Sequence, residues 1–206
     1  MEDLKTHWDT IYKTRELTEV SWYQPKPEIS LNYIAQLGLN RNARIIDVGG
    51  GDSLLVDFLL AEGFTDITVV DISENALQRA KERLGEAAEK VTWIVADVSN
   101  FELPAKYDLW HDRAAFHFLT REEQIINYMK TLQNSMAKGG IVILGTFSEN
   151  GPLKCSGMSI KQYSIQDMEK LFPSDFLKLG CENLDHITPT GAVQNFTFCR
   201  FRKTYK

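Results

Sequence analysis

The first residues able to do chemistry together are Asp47-Val48-Gly49-Gly50-Gly51-Asp52-Ser53. Three glycines let a backbone turn tightly and lie against a ligand with no Cβ in the way. The amides opening a following helix would face that ligand. Two common uses of such a loop fail on its own residues. A dinucleotide fingerprint needs G-x-G-x-x-G, and counting from Gly49 the last position is Leu54. A phosphate loop ending in Gly-Lys is absent. Asp47, two residues before the first glycine, would repel a pyrophosphate and suits a ligand with a positive group. Asp71 closes an apolar run 22 residues after Gly49, where an acid accepts hydrogen bonds from ribose hydroxyls. Asp97, in Val95-Ala96-Asp97-Val98, closes the next run and can accept from an adenine amino group. The ligand so described has a ribose, an adenine and a positive charge, with no phosphate required. Each residue also has a plainer use: a tight turn for Gly49 and Gly51, helix caps for Asp71 and Asp52, a solvated loop acid for Asp97.

A second group is His111-Asp112-Arg113, expected to leave the fourth strand at its C-terminal end, where open α/β sheets bind ligands. His111 is the best-placed general base because its ordinary pKa lies near working pH. Arg113 either binds an acidic substrate or pairs with an internal acid. His117 reads as a core or turn histidine, and His111 and His117 do not have metal-pair spacing, so no metal site is expected. Asp108 lies on the strand itself. Two segments are able to enclose a site. One is Ser21-Trp22-Tyr23-Gln24-Pro25-Lys26-Pro27, preceded by Trp8 and Tyr12, and it is either a lid or a hydrophobic cap. The other is the polar, glycine-bearing stretch 146–157, which contains Cys155 and is open to a substrate-facing role.

These groups need a scaffold, and the sequence patterning supplies it. Strand-like runs at Arg44–Val48, Ile67–Val70, Val91–Val95, Tyr107–Trp110 and Ile141–Phe147 alternate with helical patterns. The helices are expected from Pro27 to Leu37, Ser53 to Glu62, after Ser73, from a Thr120–Glu123 capping box to Met136, and after Ser164. Such alternation implies parallel βαβ units covered on both faces. The last two runs, Cys181–Ile187 and Gln194–Arg202, are joined too closely for a parallel crossover, so they form an antiparallel hairpin.

The chain has 206 residues, 43% hydrophobic, with 23 basic against 28 acidic side chains and a net charge of −5. This composition fits one globular domain and disfavours a general nucleic-acid binder. No apolar run approaches the roughly 18 residues of a membrane helix. The acidic N-terminus, Met1-Glu2-Asp3-Leu4-Lys5, carries no signal-peptide pattern. Cys155, Cys181 and Cys199 form no CxxC and read as reduced, mostly buried thiols of a cytoplasmic protein.

The glycine motif, the two later acids, the strand alternation and the closing hairpin resemble the class I S-adenosylmethionine-dependent methyltransferases over roughly residues 40–205. Ser53 stands where that family often has another glycine. The resemblance implies a Rossmann-like fold: α/β, a doubly wound, mostly parallel seven-stranded sheet with a C-terminal antiparallel hairpin. One domain would span 1–206, with 1–40 a helical lid or cap and 41–206 the catalytic sheet core. It implies S-adenosyl-L-methionine as cofactor, with Asp47 near the methionine amino group, Asp71 on the ribose and Asp97 and Val98 at the adenine. Gly49, Gly50, Gly51, Ser53 and Ile72 complete the cradle, with Trp22, Tyr23 and His111 beside it. His111 and Arg113 are the candidate catalytic residues, facing the transferable methyl. With no inserted recognition domain, a small-molecule acceptor leads and a protein lysine follows. A non-catalytic binding protein and a nicotinamide oxidoreductase are the other classes weighed, the latter opposed by Leu54 and Asp47. His111-Asp112-Arg113-Ala114 does not match the Asn/Asp-Pro-Pro-Tyr/Phe motif of DNA amino methyltransferases, so no nucleic-acid partner is expected. The expected state is a monomer or homodimer with no membrane partner.

Overall fold

Alternation of side chains along each strand divides the core between two faces of one sheet. The computed structural model describes residues 4–103 and 105–205; Met1 to Asp3 of the N-terminus read above, Pro104 and Lys206 lie outside the described residues. The strands are β1 (Arg44–Val48), β2 (Asp66–Asp71), β3 (Val91–Val95), β4 (Tyr107–Arg113), β5 (Met136–Phe147), β6 (Lys154–Cys155), β7 (Met158–Ser159), β8 (Phe176–Ile187) and β9 (Val193–Lys203). The helices are α1 (Leu4–Thr14), α2 (Glu28–Gln36), α3 (Leu55–Ala61), α4 (Glu74–Leu84), α5 (Glu122–Ser135) and α6 (Ile165–Leu171). The main sheet has seven strands in the order β3-β2-β1-β4-β5-β9-β8, and β6 with β7 forms a small ribbon. β1 to β5 pair in parallel, whereas β9 is antiparallel to both β5 and β8.

Adjacent residues of β1 illustrate the two faces. Ile45 joins Leu31, Ile34, Leu55, Leu59 and Leu77, from α2, α3 and α4. Ile46 joins Tyr128, Leu132 and Met168, from α5 and α6. Both isoleucines are completely buried. The strand order reverses between β1 and β4, which opens the crevice where α/β sheets bind ligands. Among the described residues no helix is long and apolar enough to cross a membrane.

Several boundaries differ from the sequence-based expectation. β4 continues through His111, Asp112 and Arg113, because these residues pair with Ile143, Leu144 and Gly145 of β5. Two hydrogen-bonding neighbours hold extended a segment expected to leave the sheet. β5 begins at Met136, which pairs with Tyr107 across an irregularity, rather than after Gly140. Helix α3 starts at Leu55; Ser53 only accepts from the Leu55 amide (3.1 Å), and Asp52 is no cap. At α5 it is Gln124, not Glu123, that reaches back to the Arg121 amide (3.2 Å). The expectation of three reduced thiols is also corrected. Cys181 and Cys199 stand directly opposite each other in the β8–β9 pair, with Cα atoms 4.1 Å apart, and are joined as a disulfide. Only the hairpin register brings them together. Cys155 is a free, buried thiol.

Candidate active site

The glycine loop is pinned from beneath. The Gly49 and Gly50 amides both donate to the Val70 carbonyl of β2, at 2.7 and 3.2 Å. Gly49 has φ +66°, and a Cβ there would stand 2.2 Å from the Ala115 Cβ, so only glycine allows this approach. The loop after β4 therefore presses directly on the glycine loop. Its turn includes Ala114 at φ +69°, a strained value for a residue with a Cβ. Asp112 holds that turn, accepting from the Ala115 and Phe116 amides and from the Tyr128 hydroxyl at 3.0, 3.2 and 2.6 Å. Burial raises the Asp112 carboxyl to about 6 despite those donors. Asp112 faces α5, so His111 and Arg113 on either side of it face the other way.

Every residue expected in the site except Gly51 borders one cavity at the C-terminal ends of β1 to β4. Gly51 lies beneath α1 instead: a Cβ on it would meet the Tyr12 hydroxyl at 2.5 Å. Asp71 is buried, and its carboxylate accepts from the Ser73 amide at 2.8 Å. Burial pushes it up to about 7, with Asp52 and Asp47 adding to the rise and the Ser73 and Gly51 amides opposing it. Asp97 is exposed at the far end and accepts from both the amide and the hydroxyl of Ser99, at 2.8 and 2.7 Å. Asp52 instead pairs with Arg79 of α4 at 3.2 Å.

His111 is held at both ring nitrogens. Its Nδ1 lies 2.7 Å from Asp47 Oδ1 and its Nε2 lies 2.8 Å from the Ser30 hydroxyl. A carboxylate only accepts, so Nδ1 carries the proton, and in the neutral ring Ser30 donates to Nε2. Both ring nitrogens are occupied, and the ring orients Asp47. Ser30 was missed by the sequence reading. Its signal was a small polar residue on the buried face of α2, beside Leu31, Tyr33 and Ile34.

The N-terminal segment closes over the cavity. Asp9 of α1 accepts from the Ser73 hydroxyl at 2.6 Å, and Arg79 donates to the Tyr12 and Arg15 carbonyls, both at 2.7 Å. Trp8 packs edge-on against Trp22 and Phe118, with centroids 5.7 and 4.9 Å away. Tyr12 is buried, and burial together with Asp71 and Asp52 raises its phenol well above the ordinary value. Gln24, Ala115, Phe118 and Cys155 also border the cavity. Burial raises the Cys155 thiol, so it is no ready nucleophile.

Arg113 completes the wall toward β9. Its Nη1 donates to the Trp22 carbonyl at 3.1 Å, and its guanidinium lies 5.2 Å from the Phe196 ring centre. Burial pulls its pKa down to about 10. The internal acid that was one expectation for Arg113 is absent from its contacts: among the described residues no carboxylate forms an ion pair with it.

This geometry has known counterparts. Residues 45–140 match the family described as "Methyltransferase domain". A malonyl-(acyl-carrier protein) O-methyltransferase of Anoxybacillus flavithermus is 33% identical over 107 residues, 51% of this chain and 39% of that protein. An EEF1A lysine methyltransferase 2 of Danio rerio is 26% identical over 156 residues, 68% of this chain and 66% of that protein. The crystal structure of a SAM-dependent methyltransferase from Anabaena variabilis superposes with a TM-score of 0.76 at 16% identity, covering 98% of this chain and 96% of that one. At that identity the likeness establishes a shared fold. The chain spans half or less of the length of the first curated relatives it matches, 39% and 50% for two malonyl-(acyl-carrier protein) O-methyltransferases.

Proposed function

We propose that this chain, whose residues 45–140 match the family described as "Methyltransferase domain", is a class I S-adenosylmethionine-dependent methyltransferase that transfers a methyl group to a small-molecule acceptor by direct in-line displacement. The observation that carries this reading is the row of acids at three successive strand ends, Asp47, Asp71 and Asp97, bordering one cavity with the glycine loop. Their chemistry fits S-adenosyl-L-methionine: carboxylates for an ammonium, a ribose and an adenine amino group, and close-approach glycines in place of a phosphate cradle. When bound, that cofactor supplies a sulfonium-activated methyl and leaves as S-adenosylhomocysteine.

The residues have separate tasks. Asp47, held by His111, takes the methionine ammonium, with Gly49, Gly50 and Ser53 lying against the tail. Asp71 and Ile72 hold the ribose, and Asp97 and Val98 the adenine. Trp22, Tyr23 and the α1 aromatics exclude water and bring π faces to the positive sulfur. His111 acts by orienting Asp47. Residues 1–40 serve as the cap and 41–206 as the catalytic core of one domain. We further read the chain as cytoplasmic, monomeric or homodimeric, and free of nucleic-acid partners; fractionation and light scattering check these points.

A protein lysine is the second reading of the acceptor, supported by the Danio relative. Calorimetry with S-adenosylmethionine and S-adenosylhomocysteine tests the proposal, followed by transfer of labelled methyl to small-molecule and protein acceptors. Saturable cofactor binding that Asp71→Ala weakens is expected. Absence of binding to the wild type overturns the proposal, and binding without transfer to any acceptor supports a non-catalytic protein.

A further inference from the structure

Arg113 ends β4 with a positive charge that has no ion-pair partner among the described residues; Asp47 acts on it only through the field. Its Nη2 is buried without a hydrogen-bond partner, while Nη1 is satisfied by the Trp22 carbonyl. None of the titratable groups around it bonds Nη2. His117 accepts the Phe147 amide at Nδ1 (3.2 Å) and is driven down to about 3 by burial, with Arg113 adding to the fall. His186 donates Nε2–H to the Ser21 carbonyl (2.7 Å) and is also lowered, by burial and by Arg113. Cys155 is a buried thiol raised above its ordinary value. Asp47 makes its hydrogen bond to His111 and none to Arg113, on which it acts only at longer range. A buried guanidinium without a direct ion-pair partner is costly to a fold, and a site keeps such a group when a ligand supplies the partner.

Location separates two ligands that both carry carboxylates. Asp47, Asp71 and Asp97 lie at β1, β2 and beyond β3, on one side of the crevice. Arg113 stacks on Phe196 of β9, across β5 on the opposite side. If the cofactor follows the three acids, as proposed, the acceptor is left the side that Arg113 and Phe196 border. Resting on the proposed methyl transfer, we infer that the acceptor carries a carboxylate and that Arg113, which borders the cavity with Trp22 and Phe118, recognises it through the unpartnered Nη2. The planar fork of arginine suits a carboxylate, and the Phe196 face keeps the fork oriented.

The test uses the full chain saturated with S-adenosylhomocysteine and calorimetric titration of butyrate, benzoate and phenylacetate, each beside its primary carboxamide. The acids are expected to bind at least about tenfold more tightly than their amides. Arg113→Gln should erase that preference, change S-adenosylhomocysteine affinity by less than about threefold, and raise Tm, because it removes an uncompensated buried charge. Arg113→Lys should keep part of the preference. Equal binding of acids and amides, or no binding by any of the acids, overturns the inference. So does a tenfold loss of S-adenosylhomocysteine affinity in Arg113→Gln, which would assign the guanidinium to the cofactor's carboxylate. A fall in Tm in that variant would mark Arg113 as structural and also overturn it. Wild-type protein that fails to bind S-adenosylhomocysteine overturns the proposed function instead, and the acid–amide comparison on the cofactor-free chain then still decides the role of Arg113.

Discussion

The two sides of the crevice are built on opposite electrostatic plans. Toward β3 the walls are acids held by the backbone: Asp71 accepts from the Ser73 amide, and Asp97 from the Ser99 amide. Toward β9 the walls are aromatic, the histidines are held neutral, and the one cation, Arg113, lacks an ion-pair partner among the described residues. The acidic side is complete within the chain and describes its ligand closely. The other side is incomplete until something arrives. A cofactor used by many enzymes can be met by backbone geometry and a few acids, whereas an acceptor peculiar to one enzyme is met by side chains alone.

The most damaging way to break the contrast is Gly49→Ala. Positive φ and a Cβ 2.2 Å from Ala115 require both loops to shift. A loss of about 3 kcal/mol or more is expected in denaturant unfolding, with cofactor binding abolished by calorimetry. Asp71→Ala comes next. Hydrogen bonds to a charged acceptor contribute about 1.5–3 kcal/mol, so the cofactor Kd should rise roughly 10- to 150-fold with the acceptor side intact.

The pH dependence sharpens the same contrast. Burial raises the Asp71 carboxyl to about 7, and in the proposed role only the ionised form would accept from both ribose hydroxyls. Cofactor affinity should therefore strengthen as pH rises through 7, and Asp71→Asn should flatten the profile. For the cofactor-free protein this group favours folding at low pH, and that contribution is lost as pH climbs from the ordinary carboxylate range to 7. His117 acts with the opposite sign. Its pKa of about 3 costs stability as pH falls below its ordinary value near 6.5, because the unfolded chain then binds the proton. Unfolding of wild type and His117→Asn between pH 4 and 8 separates the two contributions.

Smaller effects belong to the parts joining the two sides. Asp9→Ala removes the acceptor of the Ser73 hydroxyl and loosens α1. A loss of about 1–1.5 kcal/mol and a faster cofactor off-rate in stopped-flow measurements are expected. Ser30→Ala removes the hydroxyl on His111 Nε2 and should cost about 1 kcal/mol in denaturant melts.

The acidic side was legible in sequence because its signals are local: each acid closes an apolar run, and the glycines adjoin the first. The hairpin was legible because too few residues separate its strands for a crossover. The acceptor side was readable only in residue types. Nothing near His111 in sequence revealed Ser30, 81 positions away, on its second nitrogen. Arg113 read more readily as the partner of an internal acid than of an external one, and its actual neighbours come from β6 and β9 and the segments holding Trp22, His117 and His186. Cys181 and Cys199 looked like separate thiols until the hairpin register opposed them.

What the chain alone determined is the strand succession, the turn that requires glycine and the acids at strand ends, since backbone conformation and period-two burial are written in neighbouring residues. What only the tertiary structure decided is which buried polar groups find partners. That depends on contacts between segments distant in sequence, and in this fold it leaves His111 satisfied at both nitrogens and Arg113 with one nitrogen still to be met.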